Sequence, residues 1–209
     1  MGQYYKPVSL TAKQFVHPHD NGNGLKLTEH SWKKNNIMLS IMGALAKDGN
    51  WYKNRIVWAG DYADKDLFLT EDEINNYSNW LINYKPDYVA QYGSHPNVYK
   101  MCFRPNEIQP IGAFHLVSFE VPKKTNRFIV NHSKKLYVDM SKCPNNHGWV
   151  VHPLSLLISI GNGNGCGDYY SDAGSEFIGT WAGDVISTEP KIKTKEFKEF
   201  VEIIPNFIQ

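Results

Sequence analysis

Cysteine is scarce in this chain. Cys102, Cys143 and Cys166 are the only three among 209 residues, and no two form a CxxC pair. That spacing argues against a disulfide framework and excludes a four-cysteine zinc site within one chain; reduced thiols in a cytosol are the plain expectation. Net charge is nearly absent, with 22 Lys+Arg against 21 Asp+Glu and a formal charge of +1. No long-range field therefore marks nucleic acid or a membrane surface as the partner. No stretch approaches about eighteen apolar residues, and MGQYYKPVSL has no apolar leader core. Gly2 does not open a myristoylation signal, because Lys6 stands where Ser or Thr is required. The expectation is a cytoplasmic protein with no membrane partner.

Catalytic signatures are missing too. There is no G-x-S-x-G elbow and no HExxH, so neither an esterase-like serine nor a zincin site is written into the chain. Ser171 and Ser175 have no recognisable base beside them. His115, His132, His147 and His152 are scattered among strands and turns.

What is present is an ordinary globular balance, 42% hydrophobic and 21% charged, with a high 13% of aromatics that includes six Trp and twelve Tyr. Such density favours sheet structure and surfaces able to grip a ligand. QYYKPVSL and KQFVH read as a hairpin, and LKLTEH as a third alternating run. Asn35 and Asn36 precede IMLSIMGALA, whose Ile37, Ile41, Ala44 and Leu45 share a helical stripe. RIVWAG is a buried strand, and Thr70 caps a helix through EDEINNYSNWLINY with acidic residues in its first turn. Residues 86–110 are irregular and proline-containing. They offer a weak division into 1–85 and 111–209 within what is otherwise one unit, 1–209.

The second half reads as strands: AFHLVSFEV, the pair RFIVN and KKLYVDM, GWVVHPLSLLISIG and EFIGTWAGDVISTE. In the tail, Phe197, Phe200, Val201 and Ile204 recur at helical spacing. The fold expected is α+β, a mostly antiparallel sheet with two or three packed helices. WAGD at 58–61 and again at 181–184 raises the question of two related halves, though a competing alignment on Trp51 and Trp181 disagrees with it by seven residues.

Four constellations could carry chemistry. GNGNGCGDYY (161–170) packs four glycines and two asparagines into seven positions. A P-loop would need Lys-Ser/Thr after the last glycine, and here Asp168 and Tyr169 follow, where a carboxylate repels phosphate. A Rossmann fingerprint fails as well: the sixth residue from Gly161 is Cys166, and from Gly163 it is Asp168. Two readings remain, a tight turn needing positive φ or a backbone surface for a ligand with Asp168 or Tyr169 as polar contact. Cys166, among glycine amides, is a passive thiol or a nucleophile. His17, His19 and Asp20, with Glu29 and His30, form either a solvated turn or a metal site. Asp61, Asp64 and Asp66 end the apolar strand and either solvate its turn or serve as acid, base or cation ligands. Trp32, Trp51, Trp58, Trp149 and Trp181 each stand near a turn; most are core anchors, and one or two at a groove mouth could stack a base or sugar.

Taken together, MGQYYKPV, NGLKLTEHSW, RIVWAGDYAD, RFIVNHSKKLYVDM, HPLSLLISIGNGNGCGDYY and GTWAGDVIS resemble a family of uncharacterised proteins of bacteriophages and mobile elements of Gram-positive bacteria, in the same order and over nearly the whole chain. In that family the loop more often reads GNGRGGGDY and the later motif WARD. This chain carries Asn164, Cys166 and Gly183 at the matching places, so an arginine that met an anionic ligand there would be lost. The resemblance implies an accessory role and no particular reaction. It points to stoichiometric binding, for instance inhibition of a host defence by sequestering a host protein or a nucleotide-like ligand. The rival is a metal-assisted hydrolase built on Asp61 and Asp64 with nearby histidines, and a third is a virion or assembly component. No cofactor and no sequence-specific nucleic-acid binding are expected. The candidate ligand contacts are Trp58, Asp61, Gly161, Asn162, Gly163, Asn164, Gly165, Asp168, Tyr169 and Trp181.

Overall fold

The computed structural model describes residues 3–64, 67–92, 94–143, 145–146, 149–164, 168–169 and 175–200. Its centre is β3 (Asn54–Gly60), whose run Ile56 to Gly60 is buried throughout. Such a run is what a strand covered on both faces requires. Side chains alternate across it. Ile56 and Trp58 enter one apolar cluster, Val57 and Ala59 the other.

On one edge β3 pairs antiparallel with β1 (Tyr5–Ser9), which turns into β2 (Gln14–Phe15). Beyond these lie β5 (Phe114–Leu116) and β4 (Cys102–Phe103), both paired in parallel. The other edge is shared. Asn54 and Arg55 pair antiparallel with β11 (Val185–Glu189), while Trp58 and Ala59 pair in parallel with β10 (Ser159–Ile160). β11 continues to β6 (Phe128–Asn131), β7 (Leu136–Asp139) and β12 (Lys198–Glu199). The result is one ten-stranded, mostly antiparallel sheet among the described residues, with β8 (Asn145–Asn146) and β9 (Trp149–Val150) as a separate pair.

Helices cover both faces, confirming the α+β class. α2 (Asn36–Ala44) and α5 (Pro153–Leu157) fill the cluster around Trp58, while α3 (Glu71–Tyr84) fills the cluster around Val57. α2 starts where Asn35 accepts the Ile37 N–H at 2.9 Å, and α3 starts at a capping box in which Thr70 and Glu73 exchange bonds. Glu73 also forms an ion pair with Lys13 of the β1–β2 turn, fastening α3 to the sheet. No helix among the described residues is long and apolar enough to cross a membrane.

Several local expectations are corrected. LKLTEH is α1 (Leu27–His30), because the Glu29 carboxylate caps the Lys26 N–H at 2.8 Å. PLSLL is helix α5, with Pro153 at its first position and the His152 imidazole as N-cap. Residues 86–110 contain α4 (Pro86–Tyr92) and β4, and Val98, Met101 and Phe103 lie in the core. The tail turns and then forms β12 where a helix was expected. Phe197 packs on the His132 ring and Phe200 on Phe177 and Trp181, and these sheet contacts outweigh the helical spacing; Val201 and Ile204 lie outside the described residues. The two WAGD tetrapeptides differ in backbone. The first ends strand β3, and the second is a turn with Gly183 at φ +75°.

One buried polar chain ties α1 to β3. The Trp58 Nε1–H donates to His30 Nδ1 at 2.8 Å, and His30 Nε2–H donates to the Gly24 carbonyl at 2.8 Å. These partners fix a neutral tautomer, and burial lowers the His30 pKa to about 4. His152, also buried, is lowered to about 3 by the same cause. A histidine with a depressed native pKa stabilises the fold above its unfolded pKa of about 6.5, and that stability drains away as pH falls toward the native value. Urea unfolding between pH 7 and 4 should therefore show stability falling with pH, with His30 alone contributing roughly 3 kcal/mol. At pH 7, His30→Phe should cost about 1–3 kcal/mol by orphaning the Trp58 donor, and it should flatten the pH slope.

Candidate functional site

The parallel register of β10 and β3 brings the glycine loop beside Asp61. Gly161 follows Ile160, and Asp61 follows Gly60 one step past the paired Ala59–Ile160 position. Of the sequence-derived contacts, Asp61, Gly161, Asn162, Gly163, Asn164 and Asp168 thus converge. Gly165 lies outside the described residues, as do Cys166, Asp66, His147 and Ser171.

The convergence is structural in character. The Asn162 side chain brackets Tyr169, accepting its N–H at 2.8 Å and donating to its carbonyl at 3.0 Å. The Asp168 carboxylate, 3% exposed, accepts the Gly163 N–H and the Tyr5 hydroxyl, each at 2.7 Å. Asn164 donates to the Tyr62 carbonyl at 3.0 Å. The Gly163 amide that might have met a ligand anion is already spent on the protein's own carboxylate. Asp61 is held by the Tyr4 N–H at 2.9 Å. Its pKa is raised, chiefly by burial and further by the Asp168 charge, against the Tyr4 bond that lowers it.

Trp58 and Trp181, proposed as stacking surfaces, are 0% and 1% exposed and offer no face to a ligand. The metal reading of the histidine turn is not supported by its surroundings: His30 is committed to Trp58, Glu29 to Lys26, and Asp20 faces Arg104 at 3.5 Å. Among the described residues no group of three or more His, Cys, Asp or Glu side chains gathers as metal ligands. A cleft of roughly 330 Å³ between β6, β11 and the tail contains His132, Glu189 and several lysines. Ser187 donates to Glu189 at 2.9 Å and meets His132 Nε2 at 2.8 Å. The serine proton is therefore directed at the carboxylate, so the imidazole is not placed to remove it.

A different groove, roughly 270 Å³, lies between β1, α3, α4 and the 99–107 segment. Tyr77, Trp80, Tyr88, Tyr99 and Phe103 supply aromatic walls, with Trp80 and Phe103 edge-to-face at 5.0 Å. Lys6 projects from β1 on the Val8 side of the sheet. It is 8% exposed, and its Nζ lies 3.9 Å from the Tyr99 centroid and 5.2 Å from that of Phe15. Its ammonium has no hydrogen-bond or ion-pair acceptor among the described residues, and burial lowers its pKa. The Trp80 indole N–H is likewise buried without an acceptor among those residues. Cys102 at the groove wall donates to the Val98 carbonyl at 3.3 Å, and burial pushes its thiol up to about 12, which makes it unreactive. Asn97 joins this groove to the Asp61 turn, donating to the Asp61 and Ala63 carbonyls at 2.9 and 3.2 Å.

Sequence reasoning missed this groove. Trp80 stood outside the set of turn-associated tryptophans, and Lys6 read as one residue of a strand. The signal was the aromatic spacing Tyr77, Trp80, Tyr84 along α3. No family model, no curated protein and no solved structure matches the chain.

The loop's structural role can be tested at two glycines. Gly161 has φ +93°, and a Cβ there would sit 2.9 Å from the Ala63 backbone; Gly163 has φ +97° and open space. By urea denaturation Gly163→Ala should cost about 1–2 kcal/mol from backbone strain alone, and Gly161→Ala clearly more.

Proposed function

We propose that this chain acts by stoichiometric binding and not by turnover, as a phage or prophage accessory protein working in the cytoplasm of the host cell. The observation that carries the reading is the aromatic groove, where the Lys6 side chain, 8% exposed, lies against aromatic rings with no hydrogen-bond or ion-pair acceptor among the described residues. Cations in such surroundings are ordinarily paired, and an external ligand that brings an acceptor completes the site. The glycine loop supports the same reading indirectly. Among its described residues, Asn162, Gly163, Asn164 and Asp168 bond within the protein, so it braces the Asp61 turn next to the groove. The resemblance of GNGNGCGDYY, RIVWAGDYAD and GTWAGDVIS to mobile-element proteins supports an accessory role, for which inhibition of a host defence by sequestering a protein or a nucleotide-like ligand is the form favoured.

Incubation of the purified protein with candidate host-defence proteins and with nucleotides, followed by native mass spectrometry, should reveal a complex of fixed stoichiometry from which the ligand returns chemically unchanged. Conversion of a nucleotide to product, abolished in Asp61→Ala, would replace this reading with the hydrolase. Absence of any complex would remove it.

A further inference from the structure

We infer that the groove between β1 and α3 recognises a planar anionic ligand of the nucleoside-phosphate class, with Lys6 selecting for the negative charge and the aromatic walls, Trp80 among them, for a flat ring. The inference rests on the binding reading above and specifies its ligand.

Charge is the first argument. The groove lining holds Lys6, Lys85 and Lys100 against the single carboxylate of Glu107. Lys85 lies over Trp80, 5.5 Å from a ring centroid, and Lys100 donates to the His95 carbonyl at 3.2 Å. Lys6 alone is both deep and without an anionic or hydrogen-bonding partner. Glu107 and Asp61 are near enough to act on its charge, yet neither reaches ion-pair distance. Two aromatic faces stabilise the ammonium in part, but they leave its three N–H donors unanswered. A phosphate oxygen answers them through charge-assisted bonds.

Shape is the second. A groove walled by Tyr77, Trp80, Tyr88, Tyr99 and Phe103 suits a flat ring system, since every base presents a π face to stack. Roughly 270 Å³ falls just below the range of ligand sites, which run from about 300 Å³ upward, and so favours a mononucleotide over anything larger. A purely apolar occupant would cover the Lys6 ammonium without giving it an acceptor, and inorganic phosphate would leave the aromatic walls empty.

Isothermal titration of the full-length protein with adenosine 5′-monophosphate, guanosine 5′-monophosphate, adenosine and inorganic phosphate tests this directly. At least one nucleotide should bind one to one, with the nucleoside and phosphate each about tenfold weaker or worse. Lys6→Met should remove most of the preference for nucleotide over nucleoside while the protein stays folded, as shown by an unchanged or raised thermal midpoint. The exposed Lys193→Met should leave binding as it is. Trp80→Ala, which removes an aromatic wall, should weaken the nucleotide and the nucleoside alike. Nucleotide binding that is equal in Lys6→Met and wild type, or binding of nucleoside as tight as nucleotide, would overturn the inference. If no nucleotide binds but a host protein is still captured, this inference falls and the binding reading stands; if neither is bound, both fall.

Discussion

The fold depends on one strand being buried on both faces and shared on one edge. β3 sends Ile56 and Trp58 into the cluster under α2 and α5, and Val57 and Ala59 into the cluster under α3. Its second edge is divided between antiparallel β11 and parallel β10. The two partners run in opposite directions along it. The turn at Gly183 makes the division possible: its N–H donates to the Ile56 carbonyl at 2.9 Å, and the Ile56 N–H donates to the Asp184 carbonyl in return at 3.3 Å. Because β10 runs parallel to β3, both strands finish at the same end of the sheet. The glycine loop and Asp61 meet there for that reason alone.

Hydrogen-bond pairing shows which polar groups brace the fold. Buried donors and acceptors are costly unless paired, so a site that exists only to hold the fold together closes its own accounts. Asn162, Gly163 and Asp168 of the glycine loop are paired in this way, and so is the His30–Trp58 chain in the core. The Gln3 amide beside Gly60 and Gly161, His17 Nδ1 and the Trp80 indole N–H stay buried without hydrogen-bond partners among the described residues, and the Lys6 ammonium has only aromatic faces. Lys6 sits on the face of β1 opposite Tyr5, so adjacent residues of one strand serve different ends. Tyr5 completes the loop by donating to Asp168, while Lys6 opens onto the groove.

Local signals were legible wherever they were strong and redundant. Asn35 before the Ile37 stripe, Thr70 with Glu73, and the alternation on either side of residues 132–135 each announced an element that the structure contains. The misread segments share a physical cause. LTEH and PLSLL are helices of four and five residues, too short for periodicity to register, and they are held by caps and by burial of Leu27, Leu154, Leu156 and Leu157. The tail has helical spacing, but Phe197 and Phe200 find aromatic partners only when it lies extended along β7. Tryptophans near turns were an ambiguous clue, since Trp58 and Trp181 stand beside turns and are still enclosed.

Composition and patterning by themselves determined the α+β class, the central buried strand, the principal helices with their caps, and the failure of the phosphate fingerprints at Gly161 to Asp168. These depend on residues close in sequence, where backbone preference and alternation act directly. Which polar groups end up satisfied was decided only by the tertiary structure. Asp168 finds Tyr5 across 163 residues, and Trp58 finds His30 across 28. Lys6 finds two aromatic faces and no anion. Pairing is a property of the packed interior, because desolvation makes an unmet donor costly only once neighbours remote in the chain have excluded water.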